Sequence, residues 1–426
     1  MTLFDLPRLF VLAWLFIFGC CFGSFLNVCI HRFPSRHTLR EQLRSLASHS
    51  SGCPRCSAAI LWRDNIPILG WLLLAGRCRN CKRPISFRYP LVECLTGCLF
   101  VILYQLEMPP HFWASASDTG LFSTDGPQNL TQHLHLPLWL HIRYLLHVAM
   151  ICCLIAASFI DMEHWIIPDG TTVPMMIVAL ATHTACGQAW ILPLWFQDQS
   201  VASVLQNVAP PSLQPLLFSW DCLPFAIAHP HWHGLLVSLT GLVVGGGTVW
   251  LVRILGAWAF KREAMGFGDV VLMAMIGSVI GWQPVLVVFL LAPIPAIAAA
   301  VLSLVLRRRD EIPYGPWLSF AALTLLLAWR SIWPVAERFF DLGPVLLFMA
   351  ILMTLLLAVS LQLSQLLRKL LGWTPATAPE IIDDGIPMIY PADKSDPAAG
   401  QWPRELWPGI RSGQGLHANH QWRSPR

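Results

Sequence analysis

Two sets of residues in this chain could do chemistry. The first is four cysteines in two C-x2-C pairs, Cys53 and Cys56 in "CPRC" and Cys78 and Cys81 in "CRNC". Each pair can clasp one side of a tetrahedral ion, so the four read as a closed, structural zinc site. A redox dithiol would need only one such pair. The loop has too little apolar sequence to fold alone, and binding the ion would fold it. No histidine or further carboxylate stands nearby at ligand spacing, which argues against metal-assisted hydrolysis. The second set is two aspartates at the ends of apolar runs, Asp161 in "SFIDMEHWIIPDG" and Asp269 in "GFGD". Carboxylates in such places are expensive to keep. If the two met, they would share a proton: one would activate water as a general base and the other would polarise a scissile carbonyl.

Plainer readings stand beside these. Asp269 serves equally well as a helix cap, and composition alone does not choose. Asp169, in "PDGTTVP", is assigned to capping, and Glu163 and His164 read as solvated residues of a short interfacial loop. Asp161 follows "CCLIAASFI" with no solvating neighbour before it and is harder to dismiss. Gly266 and Gly268 let the backbone approach a substrate closely or adopt dihedrals closed to other residues.

The elements that must position these groups are membrane helices. Hydrophobic residues make up 55% of the chain and charged ones 12%, far from the usage of a soluble domain. Apolar runs near 8–30, 90–106, 143–160, 171–196, 234–259, 266–282, 284–306, 316–329 and 343–367 predict an all-α polytopic membrane protein of about eight to nine transmembrane helices, with a small cytoplasmic four-cysteine zinc-binding loop. The 31–88 loop holds eleven Lys and Arg against two acids, whereas 107–142 and 197–232 hold none. Basic loops stay inside, so the N-terminus is expected outside. Threading from there puts Lys261, Arg262, Arg307, Arg308, Arg309 and the tail inside, with Asp161 and Asp269 at the cytoplasmic face. The net charge of +4 follows from this bias and gives no reason to expect nucleic-acid binding; the basic loop is expected against anionic lipid headgroups. The expected organisation is a first helix (1–30), a zinc-binding loop (31–89), a transmembrane core (90–330), an extra helix (331–369) and a disordered cytoplasmic tail (370–426).

Taken together, the motifs resemble those of the prepilin peptidases, the type IV leader peptidases. "GCCFGSFLNVCIHRFP" (19–34) looks like the opening segment of that family, "CPRC" and "CRNC" like its zinc-binding cysteines, and "ISFRYPLVECLTG" (85–97) like its lead into the second helix. "FIDMEHWIIPD" looks like the region of the first catalytic aspartate, "MGFGD" like the G-x-G-D of the second, and "IPYGPWLSFA" (312–321) like a late motif. The resemblance implies a GxGD-type aspartic protease of the bacterial inner membrane. It would cut the basic leader from prepilin-like precursors at the cytoplasmic face, with Asp161 and Asp269 as the catalytic pair. Many members also N-methylate the exposed residue with S-adenosylmethionine. Gly23, Asn27, Arg32, Arg88 and Glu93 match without a defined role.

The chain departs from the family pattern in three ways. Val271 stands where a lysine is usual, the outer loops are longer, and a ninth span and a tail are added. Two other readings remain open. One is a non-enzymatic assembly factor of a pilus or secretion system, in which the zinc loop docks partners and the acids are caps. The other is a presenilin-type protease, though no Pro-Ala-Leu motif is present.

Overall fold

The computed structural model of the chain describes residues 6–36, 38–47, 52–53, 55–108, 138–197, 199–211, 214, 221–260, 265–306, 313–343 and 345–370. The structured elements are helices in the order α1 (Leu6–Arg32), α2 (Leu39–Ala47), α3 (Leu69–Leu73), α4 (Arg88–Glu107), α5 (Leu138–His164), α6 (Asp169–Cys186), α7 (Gln199–Val208), α8 (Leu223–Ala228), α9 (Pro230–Phe260), α10 (Phe267–Ile280), α11 (Trp282–Leu291), α12 (Pro293–Val305), α13 (Gly315–Leu327), α14 (Trp329–Phe340) and α15 (Val345–Leu370). Among the described residues there is no strand, only isolated bridges between Gly52 and Ala59 and between Arg77 and Pro84. The chain divides into a unit of Met1–Gln365 and one of Leu366–Arg426, and the second is described only through the end of α15.

Every expected apolar run contains a helix, so the protein is all-α and crosses a membrane several times. Among the described residues, six helices are long and apolar enough to span, or seven if the pair α13 and α14, bent by 100°, is one span. The run expected at 171–196 is helical only to Cys186, where Gly187 takes the left-handed conformation (φ 71°) that ends helices. Lys261, Arg262, Arg307, Arg308, Arg309, most of the first outer loop and the tail after 370 lie outside the described residues.

The centre of the bundle is α10. It is apolar on all sides, and from Asp269 to Ile280 only Val271 is not fully buried, as expected of a helix enclosed by others. Helices α5, α6, α9, α11 and α13 surround it. With 14 residues it is about 21 Å long, short of the roughly 30 Å hydrocarbon layer. It stops where Gly281 adopts φ 88°, which a side chain would disfavour. Two of the carbonyls freed there are satisfied from neighbouring helices: Ser238 Oγ donates to Ser278 O (2.7 Å) and His183 Nε2 to Val279 O (3.0 Å).

Close packing of α9 on α10 depends on small residues. A Cβ on Gly241 would run into the backbone of Gly277, and the converse holds; one turn on, a Cβ on Gly245 would run into the Met273 carbonyl. Gly241 and Gly245 form the small-xxx-small spacing that lets membrane helices touch backbone to backbone. At the other end of the bundle from Asp161, Glu107 Oε1 lies 2.6 Å from His147 Nδ1, both fully buried, and the Arg143 guanidinium sits over Trp139 at 5.0 Å. Gly277→Leu should therefore lower the thermal unfolding midpoint in detergent, an overpacking cost of about 1–3 kcal/mol. Gly247→Ala, whose new Cβ meets nothing within 4 Å, should leave the midpoint unchanged.

Candidate active site and metal centre

Asp161 lies in the last turn of α5, and Asp269 in the first turn of α10. The Trp165 N–H donates to Asp161 O (2.9 Å), and Trp165 takes φ 60°, turning the chain out of α5 into the link to α6. Ile167, in that link, wedges between two helix starts. Its Cβ lies 3.0 Å from where a Cβ on Gly268 would be, and its Cδ1 lies 2.9 Å from where one on Gly315 would be. Glycine at both positions leaves room for it where α10 and α13 meet the end of α5. That same position on Gly315 is 2.6 Å from Asp161 Oδ2, and the Gly315 N–H donates to the carboxylate. The two aspartates, 6% and 8% exposed, lie close enough to interact electrostatically, and the Tyr314 phenol is within the same reach of Asp269.

Several sequence expectations change here. Gly266 has φ −67° and ψ 148°, ordinary extended backbone, so the demand for glycine falls on Gly268 through close packing, not through dihedrals. Gly266 is the N-cap of α10, and Asp269 sits three residues inside it. The N-cap of α6 is Pro168, with Asp169 following as the first helical residue. The Gly170 N–H, one of the orphan donors of that terminus, is instead taken by Gln42 Oε1 from α2 (2.6 Å). Glu163 forms an ion pair with Arg88 at the start of α4, and its other oxygen lies 3.9 Å from His164 Nε2. Val271, at the usual lysine position, is half-buried in the otherwise enclosed α10.

The four cysteines converge. Their sulfurs all lie within 4.8 Å of one another, with Cys53 to Cys81 and Cys56 to Cys78 both at 4.0 Å. Four thiolates about 2.3 Å from a tetrahedral ion stand roughly 3.8 Å apart, so the donor set fits a closed site. The two halves are built alike. Cys53 N–H donates to Ala58 O and Cys78 N–H to Arg83 O, and Ser57 and Lys82 supply matching left-handed turns (φ 55° and 57°). Backbone N–H groups near the sulfurs, Ala58 for Cys56 and then Cys81 and Asn80 for Cys78, hold these two thiols below their ordinary range, while burial and the neighbouring sulfurs push Cys81 up to about 11. Arg79 grips Asp64 with two bonds of 2.6 and 2.7 Å.

This lobe is tied to the bundle by residues whose role the sequence left open. Ile68 N–H donates to Glu93 Oε2 on α4 (2.7 Å), Arg32 Nη1 to Ser45 O at the end of α2 (2.7 Å), and Asn27 Nδ2 to Tyr89 O (3.1 Å). A Cβ on Gly23 would lie 2.5 Å from the Glu93 Cα, so α1 and α4 touch there. Between the lobe and this helix pair is a cavity of about 660 Å³. Among its walls is Asn27, 4% exposed, whose Oδ1 has no partner. Nothing in the sequence marked this space, because its walls come from three separate segments.

Removing the ion with a chelator, or changing Cys78→Ser, should unfold the lobe while the bundle keeps its helices. Limited proteolysis would then cut within 52–85, and the metal content should fall from one per chain toward zero.

Comparison with known proteins places these features in a family. Residues 17–106, with all four cysteines, match the family model described as the Bacterial Peptidase A24 N-terminal domain. Residues 211–301, which include Asp269 but not Asp161, match the Type IV leader peptidase family. The chain is 31% identical over 323 residues, 72% of its length and 90% of the relative's, to the type 4 prepilin-like proteins leader peptide-processing enzyme of Escherichia coli O78:H11 (strain H10407 / ETEC). It is also 31% identical over 280 residues, 66% of its length and 90% of the relative's, to a prepilin leader peptidase/N-methyltransferase of Klebsiella pneumoniae. A protein of the same description from Myxococcus xanthus (strain DK1622) is 30% identical over 302 residues, 70% of this chain but 64% of that protein. No solved structure matches. With nine-tenths of two such relatives covered, the chain belongs to the type IV leader peptidase family.

Proposed function

We propose that this protein is a membrane aspartic endopeptidase that removes the leader peptide from prepilin-like precursors. The observation that carries this reading is the pair of buried carboxylates, Asp161 and Asp269, within electrostatic reach of each other where α5, α10 and α13 converge. In the reaction one carboxylate, ionised, takes a proton from a water that attacks the scissile carbonyl carbon. The other, protonated, donates to the carbonyl oxygen as negative charge develops there. Collapse of the tetrahedral intermediate breaks the C–N bond, with a proton delivered to the departing amine. Burial suits this chemistry, because excluding bulk water strengthens the interactions that stabilise the charge.

The remaining assignments belong to the same reading. Zinc is the ion that Cys53, Cys56, Cys78 and Cys81 hold, and it serves to fold the lobe. The substrates are prepilin-like proteins, and the basic 31–88 segment faces anionic lipid headgroups, with no nucleic-acid partner. The N-terminus is outside the bacterial inner membrane and the acid pair is at its cytoplasmic face, where a basic leader meets a hydrophobic helix. The domain organisation is a first helix, a zinc lobe, a peptidase core to 330, an added helix and a tail. S-adenosylmethionine, when bound, supplies a methyl group to the newly exposed amine. The unpartnered Asn27 Oδ1 in an otherwise walled cavity fits a polar ligand of this kind.

In isolated membranes, Asp161→Asn and Asp269→Asn should each lower cleavage of a substrate with a basic leader and a Gly-Phe junction by about 10²–10⁴-fold, while the protein stays inserted. Cleavage that survived either change would remove that residue from the mechanism and favour an assembly factor. Gly315→Ala, which puts a methyl group against the Asp161 carboxylate, should cut the rate by more than tenfold with little change in substrate affinity.

A further inference from the structure

We propose that residues 66–75 of the four-cysteine lobe are an interfacial membrane anchor, in which Leu69, Leu72 and Leu73 insert among lipid chains beside the start of α4. This deepens, and rests on, the reading that the 31–88 segment faces lipid headgroups.

The first support is the face that α3 leaves uncovered. The stretch "IPILGWLLLA" (66–75) carries no charge, and its helix sorts side chains by side. Gly70 is buried and Trp71 and Leu74 are half-buried against the protein. Leu69, Leu72 and Leu73, at i, i+3 and i+4, share the other face and are 56, 57 and 79% exposed. Trp62, on the short turn Trp62–Asn65 that packs against α3, is exposed as well. A contiguous apolar cluster of this kind marks an interaction surface.

The second support is depth, which selects the occupant. Ile68, the N-cap of α3, donates its N–H to Glu93, five residues and about 7.5 Å along the membrane helix α4. The N-terminus of α3 is therefore level with the second turn of α4, past the point where that helix begins. Trp71 ties down the rest: its Nε1 donates to Ile85 O (3.2 Å), and its ring meets the edge of Phe87 at 5.8 Å. Phe87 is exposed, and with Leu91 and Leu95 it forms an exposed stripe at i, i+4 and i+8 on a helix that crosses the membrane. Through Phe87, the uncovered face of α3 continues a surface that lipid covers.

The third support is charge. Arg63 and Arg77, both exposed, bracket the stretch, as basic residues do where anionic headgroups meet hydrocarbon. Tryptophan at the same level fits the aromatic belt of that boundary.

The test places the photoreactive residue benzoylphenylalanine at Leu73, or separately at Arg77, in the full chain in nanodiscs of phosphatidylethanolamine and phosphatidylglycerol. Illumination should leave the peptide containing residue 73 heavier by one phospholipid, joined through an acyl chain, and the Arg77 probe should capture lipid too. Lipid captured at Arg77 but not at Leu73 would overturn the insertion and leave the segment facing headgroups. Capture at neither would overturn both. A Leu73 adduct with an added prepilin-like substrate, or with a second copy of this chain, in place of lipid would make the face a protein-docking surface and overturn the anchor. Should the probe at Leu73 lower the metal content, the same probe at Leu69 gives the decisive result. Independently, Leu72→Glu combined with Leu73→Glu should speed proteolysis within 62–77 about tenfold in the nanodiscs at unchanged metal content, and an unchanged rate would overturn the anchor.

Discussion

The structure depends on enclosing a helix too short to cross a membrane. A buried helix end in hydrocarbon must have its polar groups satisfied by protein, and the C-terminus of α10 is such an end. At its C-terminus, Ser238 and His183 donate to the last carbonyls. At its N-terminus, Arg253 donates to Met265 O (3.1 Å) and lies over the Phe267 ring at 5.7 Å. The glycines at 241, 245 and 277 bring α9 against it, and Gly268 admits Ile167. A carboxylate in the first turn of such a helix is held in place by everything around it. Asp269 therefore owes its position to packing more than to local sequence.

The same logic links the four-cysteine lobe to the acid pair. The lobe leaves Trp62, Leu69, Leu72 and Leu73 exposed, and polar ties fix it to the helices. Gln42 completes the N-terminus of α6, Arg32 holds the end of α2, and Glu93 holds the backbone at Ile68. The chain that leaves Asp161 passes through Ile167 and enters α6 at the residues Gln42 caps. Capping bonds of this sort contribute about 1 kcal/mol each, so together they can decide whether the lobe docks.

Much of the fold was legible in the sequence because lipid imposes a strong compositional rule, and each of the nine apolar runs contains a helix. Their ends were less legible. Gly187 and Gly281 stop helices inside apolar stretches, and the bend between α13 and α14 falls at the end of the run at 316–329, with α14 continuing beyond it. Asp169 reads as a cap from its neighbours alone, yet the cap of its helix comes from Gln42, 128 residues away in the chain. Arg88 and Glu163 likewise gave no sign of each other across 75 residues.

By itself the sequence determined the ingredients whose chemistry is local. Two C-x2-C pairs specify a four-thiol site because each pair closes one edge of a tetrahedron within a single turn, and the G-x-G-D stretch marks one acid at a helix start. Only the tertiary structure decided which acids come within electrostatic reach of each other. Bringing Asp161 to Asp269 requires three helices to close on one isoleucine through Gly268 and Gly315, and such backbone-to-side-chain contacts leave no period or spacing to read. The cavity beside the lobe was invisible for the same reason: the segments that wall it are distant in sequence and become neighbours only when the helices pack.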